Sequence, residues 1–326
     1  MAVYTEVADE DLARFIANYG LGAVVSCKGI AEGVENTNYL VGTTTGQFIL
    51  TLYEKRVDTG DLPFFLGLME HLAAKGLSCP TPVRDNQGNN LRELGGRPAA
   101  LVTFLEGLWL RRPLARHCHS VGVALARLHE AGRDFVIPRP NALGPAGWWP
   151  LFERFRDRAD EVRPGLAATI ESELQAVLDA WPRDLPFGVI HADLFPDNVF
   201  FKGDTLSGLI DFYFACNDQL AYDIAVCLNA WCFESDVSFN REKGAALLAG
   251  YQSVRRLTGA ERDALPTLAR GAALRFLLTR AHDWVHTPAG ALVVKHDPVP
   301  YLQRLLHHAG VVERGSVADY GLDQST

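Results

Sequence analysis

Two short stretches carry side chains whose types and spacing could do chemistry. Val189-Ile190-His191-Ala192-Asp193-Leu194-Phe195-Pro196-Asp197-Asn198 sets a carboxylate five residues before a primary amide, and Leu209-Ile210-Asp211-Phe212 ends an apolar run on a second carboxylate. Moving a phosphoryl group needs little covalent help from a protein. It needs the acceptor hydroxyl aimed and divalent cations held against the phosphates. Asp193 suits the first task, as acceptor of the hydroxyl proton. Asn198 and Asp211 suit the second, because carbonyl and carboxylate oxygens are the hard donors that Mg2+ takes. His191 is given a structural task, hydrogen-bonding the loop backbone.

These residues need elements to place them. Val199-Phe200-Phe201, a Lys202-Gly203-Asp204 turn and Leu206 to Ile210 form a β-hairpin that sets the spacing between Asn198 and Asp211. Upstream, Asp9 or Asp11 opens an amphipathic helix bearing Leu12, Phe15, Ile16 and Tyr19. Strands follow at Val24 to Ile30, Tyr39 to Val41 and Gln47 to Tyr53. The loop between the first two carries Gly33, Asn36 and Asn38, small and polar enough for backbone N–H groups to approach a triphosphate. A helix opens at Asp61-Leu62-Pro63 and ends at Gly76, with Glu70 midway. A hairpin is expected around Asp85-Asn86-Gln87-Gly88, then a buried strand from Pro98 to Gly107, whose backbone near Val102 to Leu105, Phe104 included, would meet an adenine edge. From Arg112 the pattern turns helical: Ala115 to Glu130, a helix preceded by Trp148-Trp149-Pro150, Ala167 to Trp181, a helix from Asp218 to Trp231, and three more. His117-Cys118-His119 is expected at the surface.

The chain has 326 residues, a net charge of −8 and no basic run, which argues against a nucleic-acid partner. Its amino terminus is acidic and no apolar run is long enough to span a bilayer, so neither a signal peptide nor a membrane partner is expected. Six scattered cysteines without a Cys-x-x-Cys pair suit reduced thiols in the cytoplasm. Oligomeric state, monomer or dimer, leaves no trace in the sequence.

His-x-Asp-Leu-x-x-x-Asn followed by Ile-Asp-Phe is the pattern of a protein-kinase-like catalytic loop and metal site. A protein kinase would also carry Gly-x-Gly-x-x-Gly-x-Val, Asp-Phe-Gly and Ala-Pro-Glu; here Tyr213 follows Asp211-Phe212, and about ten residues separate Asp211 from Tyr222-Asp223. A small-molecule acceptor fits that short connection. With Tyr222-Asp223-Ile224-Ala225, the motifs resemble the aminoglycoside phosphotransferase and choline kinase superfamily. Within it, Gly29 to Tyr39, Phe48 to Arg56, Leu62 to Leu66 and Gly76 to Val83 resemble the homoserine kinases of that fold.

The resemblance implies an α+β, two-lobed protein-kinase-like fold: a small antiparallel-sheet lobe over residues 1–104 binding nucleotide, and a mainly helical lobe over 105–326. It implies ATP and Mg2+ as cofactors and homoserine as the small-molecule substrate. Choline, ethanolamine, methylthioribose and aminoglycosides stand as alternative acceptors, and a catalytically weak nucleotide-binding module as another. Thr51 stands where the family carries its phosphate-binding lysine, so the charge is sought at Lys55 or Arg56, paired with Glu70. A zwitterionic acceptor needs an acid for its ammonium, among Asp218, Asp223 and Glu234, and a cation for its carboxylate, Arg275 or Arg280.

Asp193→Asn is expected to lower turnover by roughly 10²–10⁴-fold while leaving nucleotide affinity nearly intact. Steady-state kinetics beside a nucleotide titration check this; a mild loss of turnover assigns the proton to another group.

Overall fold

The computed structural model describes residues 5–30, 36–54, 58–288 and 295–322. The chain divides into two units, one running to Glu106 and taking in Gly208–Ile210, the other holding Gly107–Ser207 and the chain from Asp211. No helix among the described residues is long and apolar enough to cross a membrane.

The first unit is a helix laid on a sheet. Helix α1 (Asp9–Ile16) precedes strands β1 (Val24–Ile30), β2 (Thr37–Thr43) and β3 (Gly46–Leu52); helix α2 (Leu62–Ala74) follows, then β4 (Arg92–Leu94) and β5 (Arg97–Thr103). The five strands pair antiparallel in the order β1-β2-β3-β5-β4. Side chains two apart on a strand share a face. Tyr39 and Val41, Leu50 and Leu52, and Ala99 and Leu101 therefore meet Leu12, Phe15, Ile16 and Tyr19 of α1 and its extension in one core. Each large apolar side chain so buried contributes about 1.5–3 kcal/mol.

One turn lies elsewhere than the sequence suggests. The hairpin closes at Gly95-Gly96, where both residues have positive φ and Leu94 pairs with Arg97. Two left-handed residues match the twist of a two-residue hairpin. Asp85 to Gly88 is a turn of its own, tied by the Asp85 carboxylate, which accepts from Gln87 N and Asn89 N at 2.9 and 2.8 Å and pairs with Arg92.

The second unit is mainly helical: α3 (Ala115–Ala131), α4 (Pro145–Glu153), α5 (Leu166–Asp179), then α6 (Leu220–Trp231), α7 (Arg241–Gln252), α8 (Gly259–His286) and α9 (Val299–Arg314). Between α5 and α6 come β6 (Phe187–Ile190), β7 (Val199–Lys202), β8 (Thr205–Leu209) and β9 (Cys216–Gln219). The expected β7–β8 hairpin is present, turned at Gly203 with φ 62°. The antiparallel β6–β9 pair was not foreseen; it brackets both functional stretches at a common base.

Two further expectations are corrected. Trp148-Trp149-Pro150 lies inside α4 rather than before a helix. Trp148 and Phe152, one turn apart on one face, are both buried, and that burial outweighs the backbone bond that Pro150 cannot make. His117 and Cys118 are buried, not superficial; only His119 of the three is exposed. The His117 ring accepts from Leu114 N at 3.0 Å and reaches Asp204 at 2.8 Å, so it caps α3 and ties it to the β7–β8 turn.

Helices α3 and α7 touch backbone to backbone. A Cβ on Gly122 would stand 2.0 Å from Leu247 O, and one on Gly250 would stand 2.1 Å from His119 O. Gly122→Ala should therefore destabilise by about 1–3 kcal/mol in urea unfolding. Gly259→Ala, where nothing lies within 4 Å, should change stability by less than about 0.5 kcal/mol.

Candidate active site

The chain from Ile190 to Asn198 runs through a loop that would not hold its shape alone. Ala192 is left-handed, with φ 62°, a conformation that costs a residue with a side chain about 1–2 kcal/mol. Both ends of its peptide are clamped. Its N–H donates to Asp223 Oδ1 at 2.9 Å, and its carbonyl accepts from Arg275 Nη1 at 2.6 Å. The neighbouring His191 N–H donates to Asp223 Oδ2 at 2.7 Å. Asp223 and Arg275 are both buried, at 0% and 3% exposure, so these charge-assisted bonds are little screened.

The next two carbonyls are held as well. Asn198 Nδ2 donates to Asp193 O at 2.8 Å, and Trp231 Nε1 donates to Leu194 O at 2.7 Å. Three successive carbonyls thus have side-chain donors from three different elements. Asp193 is left half-buried at the loop's tip. Its Oδ2 accepts from Asn198 Nδ2 at 3.3 Å, which links the two side chains directly.

Asp211 stands at the other end of the β7–β8 hairpin, exposed and also left-handed, with φ 62° and ψ 69°. The Phe212 ring beside it packs against the His191 ring at 5.0 Å between centroids. His191 is wholly buried. This ring contact joins the Asp211 segment to the loop that carries Asp193.

The donor set suits a divalent cation of the hard kind. Asn198 uses its amide nitrogen on Asp193, so its carbonyl oxygen is the atom left for a cation. Among the described residues, no group of three or more His, Cys, Asp or Glu could enclose a metal. Mg2+ needs no such cage: it is ordinarily held by one or two protein oxygens plus substrate phosphates and water.

Asp223 is the group that sets the loop's electrostatics. Burial pushes its carboxyl up, but the His129 hydrogen bond, the charges of His129 and His191 and the His191 N–H outweigh it and hold the group below the ordinary carboxylate range. A carboxylate can only accept, so His129 Nε2, 3.0 Å away, carries the proton. Its Nδ1 meets Tyr251 Oη at 2.7 Å. The structure gives Asp223 a positioning role: it is closed off from solvent and holds the loop backbone.

The remaining sequence candidates fall in several places. Arg275 is likewise taken up by the loop, its guanidinium also lying 4.1 Å from the Phe276 ring centroid. Arg280 is partly buried, over the Tyr301 ring at 4.4 Å, and feels the charges of Asp193 and Asp197. Asp218 accepts from Asn141 Nδ2 at 2.7 Å, and its carboxyl is raised, chiefly by burial. Glu234 pairs with Lys243 at 2.7 Å and is held low by that hydrogen bond.

In the first unit, Gly33, Lys55 and Arg56 lie outside the described residues. Asn36 is buried, with Oδ1 accepting from Glu54 N at 3.4 Å. Asn38 accepts from the Thr51 hydroxyl at 2.8 Å, so Thr51 bonds across to β2, at the position where the resemblance implied a lysine. Glu70 is engaged by Arg84 at 2.6 Å and by Asn90 at 3.3 Å. Val102 is paired with Ile49 on one side and bridged to Pro82 on the other, whereas Phe104, past the end of β5, is 36% exposed.

Sequence reasoning missed His129, Trp231 and the carbonyl-holding role of Arg275. Each reaches the loop from 37 to 83 residues away or by way of Asp223, and no local spacing marks them. Removing the Asp223 carboxylate strands three buried donors, at about 1–3 kcal/mol each. Asp223→Ala should therefore lose at least about 3 kcal/mol in urea unfolding near neutral pH. Because the folded carboxyl is held low, its contribution is complete above the ordinary carboxylate range and disappears as pH falls through the lowered value. The gap between wild type and variant should narrow in acid; a gap constant with pH removes Asp223 as its source.

Comparison with known proteins places this geometry. A family model described as "Phosphotransferase enzyme family" matches residues 26–257. A homoserine kinase of Chelativorans sp. (strain BNC1) is 62% identical over 323 residues, covering 99% of each chain. One from Sinorhizobium fredii is 63% identical over 322 residues, covering 99% of this chain and 98% of that one. Among solved structures, the amicoumacin kinase hAmiN with AMP-PNP, Ca2+ and Ami aligns with a TM-score of 0.68 at 13% identity, over 94% of this chain and 93% of that one. The choline kinase of Cryptosporidium parvum Iowa II aligns at 0.65 and 13% identity, over 90% and 91%. These structural likenesses establish the two-lobed kinase-like α+β fold; the family match and the full-length relatives go further. A chain with this clamped Asp-Asn loop, matched over residues 26–257 and end to end by homoserine kinases, belongs to the phosphotransferase enzyme family.

Proposed function

We propose that the protein transfers the γ-phosphoryl group of ATP to the side-chain hydroxyl of L-homoserine, giving O-phospho-L-homoserine and ADP, the step that feeds threonine synthesis. What carries the proposal is identity of about 62% along nearly the whole chain to proteins named homoserine kinase. The clamped loop supplies the chemistry.

Asp193 takes the proton of the acceptor hydroxyl as its oxygen bonds to the γ-phosphorus and the bond to the β-phosphate oxygen breaks. Its value as a base rests on placement, since acid–base catalysis requires hydrogen-bond reach to the proton removed. Asn198 steadies Asp193 through its amide nitrogen and offers its carbonyl oxygen, with the Asp211 carboxylate, to Mg2+. When bound, that ion neutralises charge on the phosphates. Residues 1–104 take the nucleotide, with Gly33, Asn36 and Asn38 toward the phosphates, Lys55 or Arg56 supplying positive charge with Glu70 in support, and the backbone from Val102 to Phe104 toward adenine. Residues 105–326 take the acceptor, with Asp218 or Glu234 for its ammonium and Arg280 for its carboxylate. Cytoplasmic location accords with reduced thiols, all six cysteines being free.

A choline acceptor would need an aromatic cage open to the ligand. Trp231 is 1% exposed, with its N–H on Leu194 O, which counts against a cage built on it. The deciding assay follows ADP release with homoserine, choline, ethanolamine, methylthioribose and an aminoglycoside. Turnover on homoserine is expected. Turnover on choline alone replaces the substrate, and none on any acceptor favours a nucleotide-binding module. Asp211→Ala should chiefly weaken Mg2+-dependent nucleotide binding; an unchanged metal titration removes Asp211 from the site.

A further inference from the structure

Near the catalytic loop, three cationic side chains gather without an ion-pair partner among the described residues. Arg275 and Arg280 lie on α8 and Arg304 on α9. Tyr301 and Arg304 are three apart on α9 and share a face. The Arg280 and Arg304 guanidinium carbons lie 4.4 and 4.5 Å from the centroid of the Tyr301 ring, and Arg304 also faces Phe233 at 5.2 Å. Arg275 has its carbonyl partner, Ala192 O. Among the described residues, neither Arg280 nor Arg304 has a carboxylate within ion-pair distance.

The polar atoms here are buried yet unmet. Tyr301 is wholly buried and its hydroxyl has no hydrogen-bond partner; Arg304 Nε is also buried without one. Buried donors without partners are rare, because each forfeits its bonds to water. Two partly desolvated guanidiniums on one tyrosine ring, with no carboxylate among the described residues paired to either, are dearer still. Burial, helped by the neighbouring Arg304 charge, lowers the Arg280 pKa, while Tyr301, Asp193 and Asp197 work the other way. The Tyr301 hydroxyl feels Arg304, Arg280, Asp193 and Arg275 together. The cluster therefore lies within electrostatic reach of Asp193.

We propose that Arg280 and Arg304, with the Tyr301 hydroxyl, form the anion subsite that holds the α-carboxylate of the amino-acid acceptor beside Asp193. The subsite rests on the homoserine reading above and adds Arg304 and Tyr301 to it. Guanidinium groups match a carboxylate with paired N–H bonds. The ring on which both arginines lie keeps them in place before the ligand arrives. The same donors could face a phosphoryl oxygen instead, and the experiment separates the two anions.

Kinetics of the full-length protein would compare L-homoserine with L-homoserine amide, which keeps the acceptor hydroxyl and ammonium but lacks the negative charge. Wild type should prefer homoserine in kcat/KM by roughly 10²-fold. Arg304→Met and Arg280→Met should each raise the homoserine KM by a similar factor, leave the ATP KM unchanged and abolish the preference over the amide. Tyr301→Phe should erode the preference in the same direction, and Arg304→Lys should restore part of it. Equal losses on both acceptors would mean that the arginines only fasten α8 to α9. A rise confined to the ATP KM would assign the cluster to phosphate. If Arg304→Met does not fold, Arg280→Met and Arg304→Lys carry the comparison. If wild type phosphorylates neither acceptor, the homoserine reading fails first and the subsite with it; a wild type that uses both equally overturns the subsite alone.

Discussion

A single strained peptide, that of Ala192, is what the candidate active site of this phosphotransferase depends on. A left-handed alanine is unfavourable by itself, and the fold compensates by placing a buried carboxylate on its N–H and a buried guanidinium on its carbonyl. Without that pair, the chain would relax toward ordinary extended geometry and Asp193, the next residue, would turn elsewhere. The bonds that hold the alanine thus also set the direction of the carboxylate that follows it.

The two charges that do this are themselves made affordable by their surroundings. Asp223 in apolar surroundings would take up a proton, but His129 and two backbone N–H groups keep it ionised. Arg275 sits over aromatic rings, a setting that a weakly hydrated guanidinium tolerates. Asp223 comes from α6, Arg275 from α8 and His129 from α3. The glycine contacts that bring α3 against α7 belong to the same requirement, since His129 meets Tyr251 of α7. Helix packing and loop chemistry are one problem here.

Charge is divided in the mainly helical unit. Asp193, Asn198 and Asp211 offer oxygens, which suits a proton and a metal ion, while α8 and α9 offer guanidiniums. Glu234 and Asp218 keep partners of their own in Lys243 and Asn141. Among the described residues, Arg280 and Arg304 have aromatic rings but no acid, and that asymmetry marks them out from the ordinary ion pairs of the surface.

Much of this was legible in the sequence because it is local. The spacing of Asp193, Asn198 and Asp211, the hairpin at Gly203 and the amphipathic α1 and α3 all rest on periods of two to four residues or on single turn residues. The Gly95-Gly96 turn was missed in favour of Asp85 to Gly88, although two adjacent glycines supply both left-handed positions of a two-residue hairpin. Trp148-Trp149-Pro150 misled because a local rule about proline yielded to burial of Trp148 and Phe152. His117 misled because its partner, Asp204, is 87 residues away. Composition and order of residues by themselves determined which groups could accept a proton or hold a cation, and which family the chain resembles. Only the tertiary structure decided that Asp223 and Arg275 serve the loop, that Trp231 holds Leu194, and that Arg280 and Arg304 meet on one tyrosine. Those outcomes depend on where distant helices come to rest, and a buried charge takes its role from its neighbours in space.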